Sequence, residues 1–188
     1  KRVEQVATPI DLPFYNEEMF TPEWIEEEDP GYDAIHTIAD FTFINQEGDS
    51  ITQDYFDNKV YVANFFFTVC PSVCPKMTAN LHRVQEAYEN DERVKIISHT
   101  VMPWMDSVSR LKDYAYAKGI NSNQWQLVTG EKEEIYTLAR TSYFADEGFG
   151  KTVTDVTDFL HTEKVILIDQ KRRIRGVYNG TIPLEMKR

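Results

Sequence analysis

VYVANFFFTVCPSVCPKM, residues Val60 to Met77, is the stretch on which the fold of this chain turns. Its first eight residues form a near-continuous apolar, β-rich run, the pattern of a central strand buried on both faces rather than one. The run delivers Cys70 at its carboxyl end, and Cys74 follows after Pro71-Ser72-Val73; the chain has no other cysteine. Pro75 suits the first position of a helix, where a missing N–H costs nothing, which places Cys74 at the N-cap beside unpaired amides that favour thiolate. Met77, Leu81, Val84 and Tyr88 then recur at helical spacing, and VKIISHTV (94–101) reads as a second buried strand. A βαβ unit results.

Outward from that unit the pattern stays regular. Upstream, IHTIADFTFI alternates, NQEGDS supplies turn residues around Gly48, and ITQDYF returns, the signature of a β-hairpin. Downstream, Asp106 is placed to cap a helix reaching Lys118 with Val108, Leu111 and Ala115 on one face; WQLVTG is a short strand and EKEEIYTLARTSYF another helix. Residues 145–158 form a polar loop, EKVILID and RIRGVYNG pair as an antiparallel hairpin, and PLEMKR begins a last helix. Residues 1–34, with four prolines and the acid run Glu26–Asp29, are an extended N-terminal arm whose Phe14, Tyr15, Phe20 and Trp24 dock on the body. The order hairpin, βαβαβ, helix, ββ is that of an α/β, thioredoxin-like fold over residues 35–188 with an N-terminal extension, and in open α/β sheets chemistry gathers at the carboxyl ends of strands.

Composition narrows the function. At 188 residues and 41% hydrophobic content one domain is expected, and a net charge of -11 with a pI near 4.8 excludes a nucleic-acid backbone and leaves basic protein surfaces as charged partners. No apolar stretch reaches the ~18 residues of a membrane-spanning helix. The chain begins at Lys1 without methionine, the expectation being a signal peptide or anchor absent from this chain. Two cysteines so close together staple nothing, because their loop is trivial.

The pair can exchange a disulfide, chelate a soft cation, or lie buried and inert. Thioredoxin-type exchange uses a two-residue gap; three residues separate the sulfurs here, room enough for an ion between them. His36 and His82 read as ordinary structural or surface groups, while His99, near the end of the second inner strand, is a candidate neighbour of Cys70. His161 directly precedes TEKVILID, where a thioredoxin places its cis-proline beside the cysteines, so an imidazole stands where a third ligand is useful. Thr68 lies two residues before Cys70 rather than three, against a peroxidase loop, and Asn179-Gly180-Thr181 is most simply a turn.

FFFTVCPSVCPKM, VMPWMDS, WQLVTGEKEEIYTLAR and LHTEKVILID together resemble the Sco/SenC family of copper-binding proteins over roughly residues 35–180. The resemblance implies copper ligands at Cys70, Cys74 and His161, an extracytoplasmic, membrane-anchored protein (periplasm or cell envelope, or the mitochondrial intermembrane space), and work on the copper site of cytochrome c oxidase subunit II or another client, by copper delivery, thiol reduction or both. Other copper chaperones and thiol–disulfide oxidoreductases are the further partners it implies. Cu(I) is satisfied by two thiolates and Cu(II) gains from an imidazole, whereas structural zinc wants four ligands. A thiol–disulfide oxidoreductase or a copper or redox sensor without metal delivery stays open beside the metallochaperone. Where the family commonly has V-D-P-x-x-D-T, this chain has Val101-Met102-Pro103-Trp104-Met105-Asp106-Ser107; Met102 either fills an apolar gap or, as a soft thioether replacing a carboxylate, favours Cu(I).

Overall fold

The computed structural model describes residues 11–145 and 162–187. Its centre is the strand foreseen from the sequence, β5 (Val60–Phe66), and the strands around it are β1 (Phe14–Tyr15), β2 (Pro22–Glu23), β3 (Thr42–Asn45), β4 (Ser50–Thr52), β6 (Val94–Thr100), β7 (Trp125–Thr129), β8 (Lys164–Ile168) and β9 (Ile174–Asn179). The helices are α1 (Val73–Ala87), α2 (Val108–Lys118) and α3 (Lys132–Thr137). Seven strands form one sheet in the order β4-β3-β7-β6-β5-β8-β9. β5 runs parallel to β6, with Phe65 opposite His99, and antiparallel to β8, with Asn64 opposite Val165.

Because successive side chains of a strand point to opposite faces, β5 and β6 feed two cores at once. Tyr61, Ala63, Phe65 and Ile97 join Phe43, Val128, Ile135, Tyr136, Leu138 and Ala139 on one face. Phe66, Ile96 and Leu127 join Met77 and Leu81 of α1 and Leu111 and Ala115 of α2 on the other. Thus α1 and α2 cover one face of the sheet and α3 the other.

Several local expectations yield to tertiary contacts. α1 starts at Val73, two residues before the proline, with Ser72 at its N-cap position and Cys74 inside the first turn. Pro75 is tolerated there because the first-turn amides have no intrahelical acceptor. Asp106 is not a cap either: Ser107 caps α2, accepting from the Arg110 amide at 3.3 Å. Residues 35–41 are not a strand, since their amides go elsewhere, Ile38 N–H to Arg172 O at 2.8 Å and Ala39 N–H to Ser142 Oγ at 2.7 Å. The return strand of that hairpin is only β4, followed by a 3-10 turn over Gln53–Phe56. After α3 the chain widens into a π turn, Leu138–Ser142, and PLEMKR makes a 3-10 turn at Glu185–Lys187. The polar loop read at 145–158 lies outside the described residues beyond Ala145.

The arm pairs with itself as β1 and β2 and rests against β9. Arg173, just before β9, and Arg175 within it stand 4.8 and 4.1 Å over the Phe14 ring, and Arg175 also donates to the carbonyls of Pro13, at 3.1 Å, and Leu12. Phe14 is buried and Tyr15 and Phe20 pack against the core, but Trp24, expected to dock, is 60% exposed.

His99 is fully buried among Phe41, Phe43, Phe65 and Tyr143, with Phe65 stacked on it at 5.2 Å. Among the described residues neither ring nitrogen has a hydrogen-bond partner, and burial pushes its pKa down from 6.5 to about 3. The unfolded chain therefore binds a proton here between those values while the folded one does not. The stability this group contributes is complete above pH 6.5 and is lost as pH falls toward 3, at about 1.4 kcal/mol per pH unit in the steep part. A His99→Leu protein, apolar and of similar volume, is expected to match or exceed the parent's melting temperature at pH 7 and to lose less of it between pH 6 and pH 4, measured by thermal unfolding at each pH.

Candidate metal centre

Beyond Phe66 the chain leaves the sheet, and the Cys70 amide turns back to donate to Phe67 O at 3.2 Å. This turn sets the Cys70 sulfur off the amino end of α1, where the Cys74 amide donates to it at 3.4 Å and the Ser72 and Val73 amides add to the same field. Both thiols are free and buried. Their environments differ in kind. Burial raises the Cys70 pKa, but the amides of Cys74, Ser72 and Val73 together with the Cys74 thiol outweigh it, leaving the thiol below its ordinary value. Cys74 points from the first helical turn into the core shared with Met77 and Leu81; burial pushes its pKa up to about 12, with the Phe67 backbone only partly opposing and Cys70 adding to the rise.

The sequence assigned the activated thiolate to Cys74, and the structure reverses that assignment. Since α1 begins before Pro75, the residue facing its unpaired amides is the one preceding the helix, Cys70. The helix-terminus argument holds, with the other cysteine as its beneficiary.

Both sulfurs open on one cavity of about 520 Å³. Phe65, Phe67, Val73 and Val101 form its apolar walls, and Glu163, Lys164 and Asn179, at the ends of β8 and β9, its polar rim. Glu163 is fixed there by Asn179 Nδ2, which donates to it at 2.8 Å, and by the Gly180 amide, which donates to Glu163 O at 2.7 Å. Gly180 is required at this seam, because a Cβ would meet Val165 Cγ2 at 2.6 Å. Sequence reasoning missed this rim; its one signal was position, at the end of a strand antiparallel to the one that leads to Cys70.

His161 lies outside the described residues, while Thr162, the residue after it, lines the cysteine cavity. His99 does not approach the pair: it shares the face of Ile97, and both cysteines belong to the core on the opposite face. The His36 ring bonds Ser142 O at 2.7 Å and the His82 ring bonds Lys118 O. Met102 is partly buried against the core on the face of Phe65 and Ile97 and is not among the residues lining the cavity. Among the described residues no group of three histidines, cysteines or carboxylates closes on a point.

The unequal thiols set an order of reactivity. Cys70 is expected to alkylate first, titrating below the ordinary thiol range of ~8.5, and Cys74 to stay inert at neutral pH. Iodoacetamide labelling against pH, read residue by residue by mass spectrometry, checks this; faster labelling of Cys74 contradicts it.

The SCO1/SenC family model matches residues 30–186. The crystal structure of a SCO1/SenC family lipoprotein from Bacillus anthracis str. Ames is 28% identical, with a TM-score of 0.66, over 81% of this chain and 94% of that one. BsSco, described as a member of the Sco family of cytochrome c oxidase assembly proteins with a disulfide switch, is 27% identical, with a TM-score of 0.62, over 78% of this chain and 85% of its own. Bradyrhizobium japonicum ScoI, solved with copper bound, shares the fold at 24% identity and a TM-score of 0.62, over 80% of this chain and 98% of that one.

Proposed function

The chain belongs to the SCO1/SenC family, and we propose that it carries copper between its two thiols and hands the ion to the copper site of a client, cytochrome c oxidase subunit II being the client the family suggests. The observation that carries this reading is the pair of free, buried sulfurs converging on one cavity. Two soft donors on the apolar wall of one cavity suit Cu(I), the soft ion of low coordination number. Cys70, already biased toward thiolate, is the first ligand, and Cys74 loses its proton on binding the ion, so that affinity rises with pH. His161 is the third ligand, serving Cu(II). Its neighbour Thr162 on the cavity wall supports that assignment.

Thiol reduction is a second duty of the same pair, favoured by the opposed acidities of the sulfurs. Cys70 attacks a client disulfide as thiolate, the mixed disulfide is resolved by Cys74, and two electrons with two protons pass to the client as the Cys70–Cys74 disulfide forms. BsSco, with its disulfide switch, is a relative in keeping with such a step. The lipoprotein from Bacillus anthracis supports an extracytoplasmic, anchored location for this chain as well. Among the described residues no helix is long and apolar enough to cross a membrane. The acidic surface, with its net charge of -11, steers basic faces of the client toward the protein.

Replacing Cys70 or Cys74 by alanine is expected to abolish tight Cu(I) binding in a competition titration with a chromophoric chelator. His161→Ala is expected to keep Cu(I) and disulfide exchange while losing Cu(II) affinity at least ten-fold. X-ray absorption on the reduced, copper-loaded protein reads the ligand atoms directly. Undiminished Cu(I) affinity in both cysteine variants rules the metal reading out.

A further inference from the structure

Asp106 is a fully buried carboxylate whose partners, among the described residues, are two threonines and a backbone amide. One oxygen accepts the Thr68 hydroxyl at 2.5 Å; the other accepts the Thr100 hydroxyl at 2.5 Å and the Thr68 amide at 3.2 Å. A carboxylate taken out of water persists only where such donors replace its hydration, and charge-assisted bonds of this length are the stronger kind. Its own segment is folded to present it: the amides of Met105 and Asp106 donate to Met102 O at 2.8 and 2.9 Å, and the Met102 amide donates to Thr100 Oγ1 at 3.1 Å. Three pieces of chain are thereby joined at the carboxyl end of the sheet, namely the loop after β5, the last residue of β6 and the turn before α2.

Thr68 occupies the second position of the Phe67-to-Cys70 turn, the turn that aims the Cys70 sulfur at the start of α1. We propose that Asp106 is a positioning residue for Cys70: by gripping Thr68 through both its amide and its hydroxyl, it holds the turn in the shape that brings the sulfur against the Ser72–Cys74 amides. Two bonds to one residue fix both the peptide orientation and the side-chain rotamer, which a single bond does not. Cys70 thus owes its reactive setting to a carboxylate that does not itself line the cavity. The consequence for metal rests on the reading of Cys70 and Cys74 as copper ligands; the consequence for the turn does not.

Two paired substitutions separate this role from plain packing. Thr68→Val keeps the branched shape and the amide but deletes the hydroxyl, while Thr68→Ser keeps the hydroxyl; Asp106→Asn keeps the shape of the carboxylate and removes one acceptor. On the copper-free, reduced protein at pH 7, Thr68→Val and Asp106→Asn are expected to slow alkylation of Cys70 at least three-fold and to speed hydrogen exchange at the Thr68 and Cys70 amides, with Thr68→Ser within two-fold of the parent. Cu(I) competition on the same proteins is expected to show at least a ten-fold loss for Thr68→Val and none for Thr68→Ser. Unchanged alkylation and exchange in Thr68→Val, or an equal loss in Thr68→Ser, overturns the proposal. If Asp106→Asn does not fold, the two Thr68 variants decide alone. Slowed alkylation with no Cu(I) bound even by the parent upholds the positioning role and refutes copper carriage.

Discussion

Both edges of β5 are hydrogen-bonded and both of its faces are buried, so the strand cannot shift register without emptying two cores at once. That constraint fixes where the strand ends, and the site begins at that end. Phe65 faces one core and Phe66 the other, and the Val101 amide reaches Phe66 O at 2.8 Å, carrying the parallel pairing one step past β6. Everything reactive follows within eight residues. The cysteine turn is thereby tied to a strand paired on both edges and buried on both faces, although the turn itself belongs to no regular element.

Within that short segment identical side chains acquire opposite character. Distance along the chain explains none of it; what matters is which sulfur faces backbone amides and which faces methyl and thioether groups. Cys70 meets the amides of the following helix, and Cys74 meets the core under Met77 and Leu81. A pair built this way presents one ready donor and one that must be recruited, an arrangement as useful for seizing an ion as for opening a disulfide.

The β5–α1–β6 unit, the end of α2 at Lys118 and the closing hairpin were legible because each is written in local pattern, apolar runs and period-3.6 spacing; the structure adds that Gly119 ends α2 in the left-handed region at φ 65°. The site was legible as residue types, two cysteines at a strand end. What escaped was decided by atoms distant in sequence. The start of α1 was misplaced because proline was given the first helical position, and with it went the identity of the acidic thiol. Asp106 read as a cap because its threonine partners, Thr68 and Thr100, are close only after folding. His99 was a plausible neighbour of Cys70 by position along β6, and only the strand's alternation, once registered against β5, sends it to the other face.

The arm folded against β9 bears on solution behaviour as well as on fold. The two outer strands of the sheet are β4 and β9, and an exposed strand edge is a template for pairing with another chain. β4 has only three residues, too short to recruit a neighbour. β9 has six and is guarded differently, by Arg173 and Arg175 and by the aromatic arm those guanidiniums hold down. Shortening the chain to its catalogue of strands and helices from residue 35 onward would bare that edge together with the bed of Phe14. The segment that contributes least to the sheet is therefore the one that keeps neighbouring molecules from joining it.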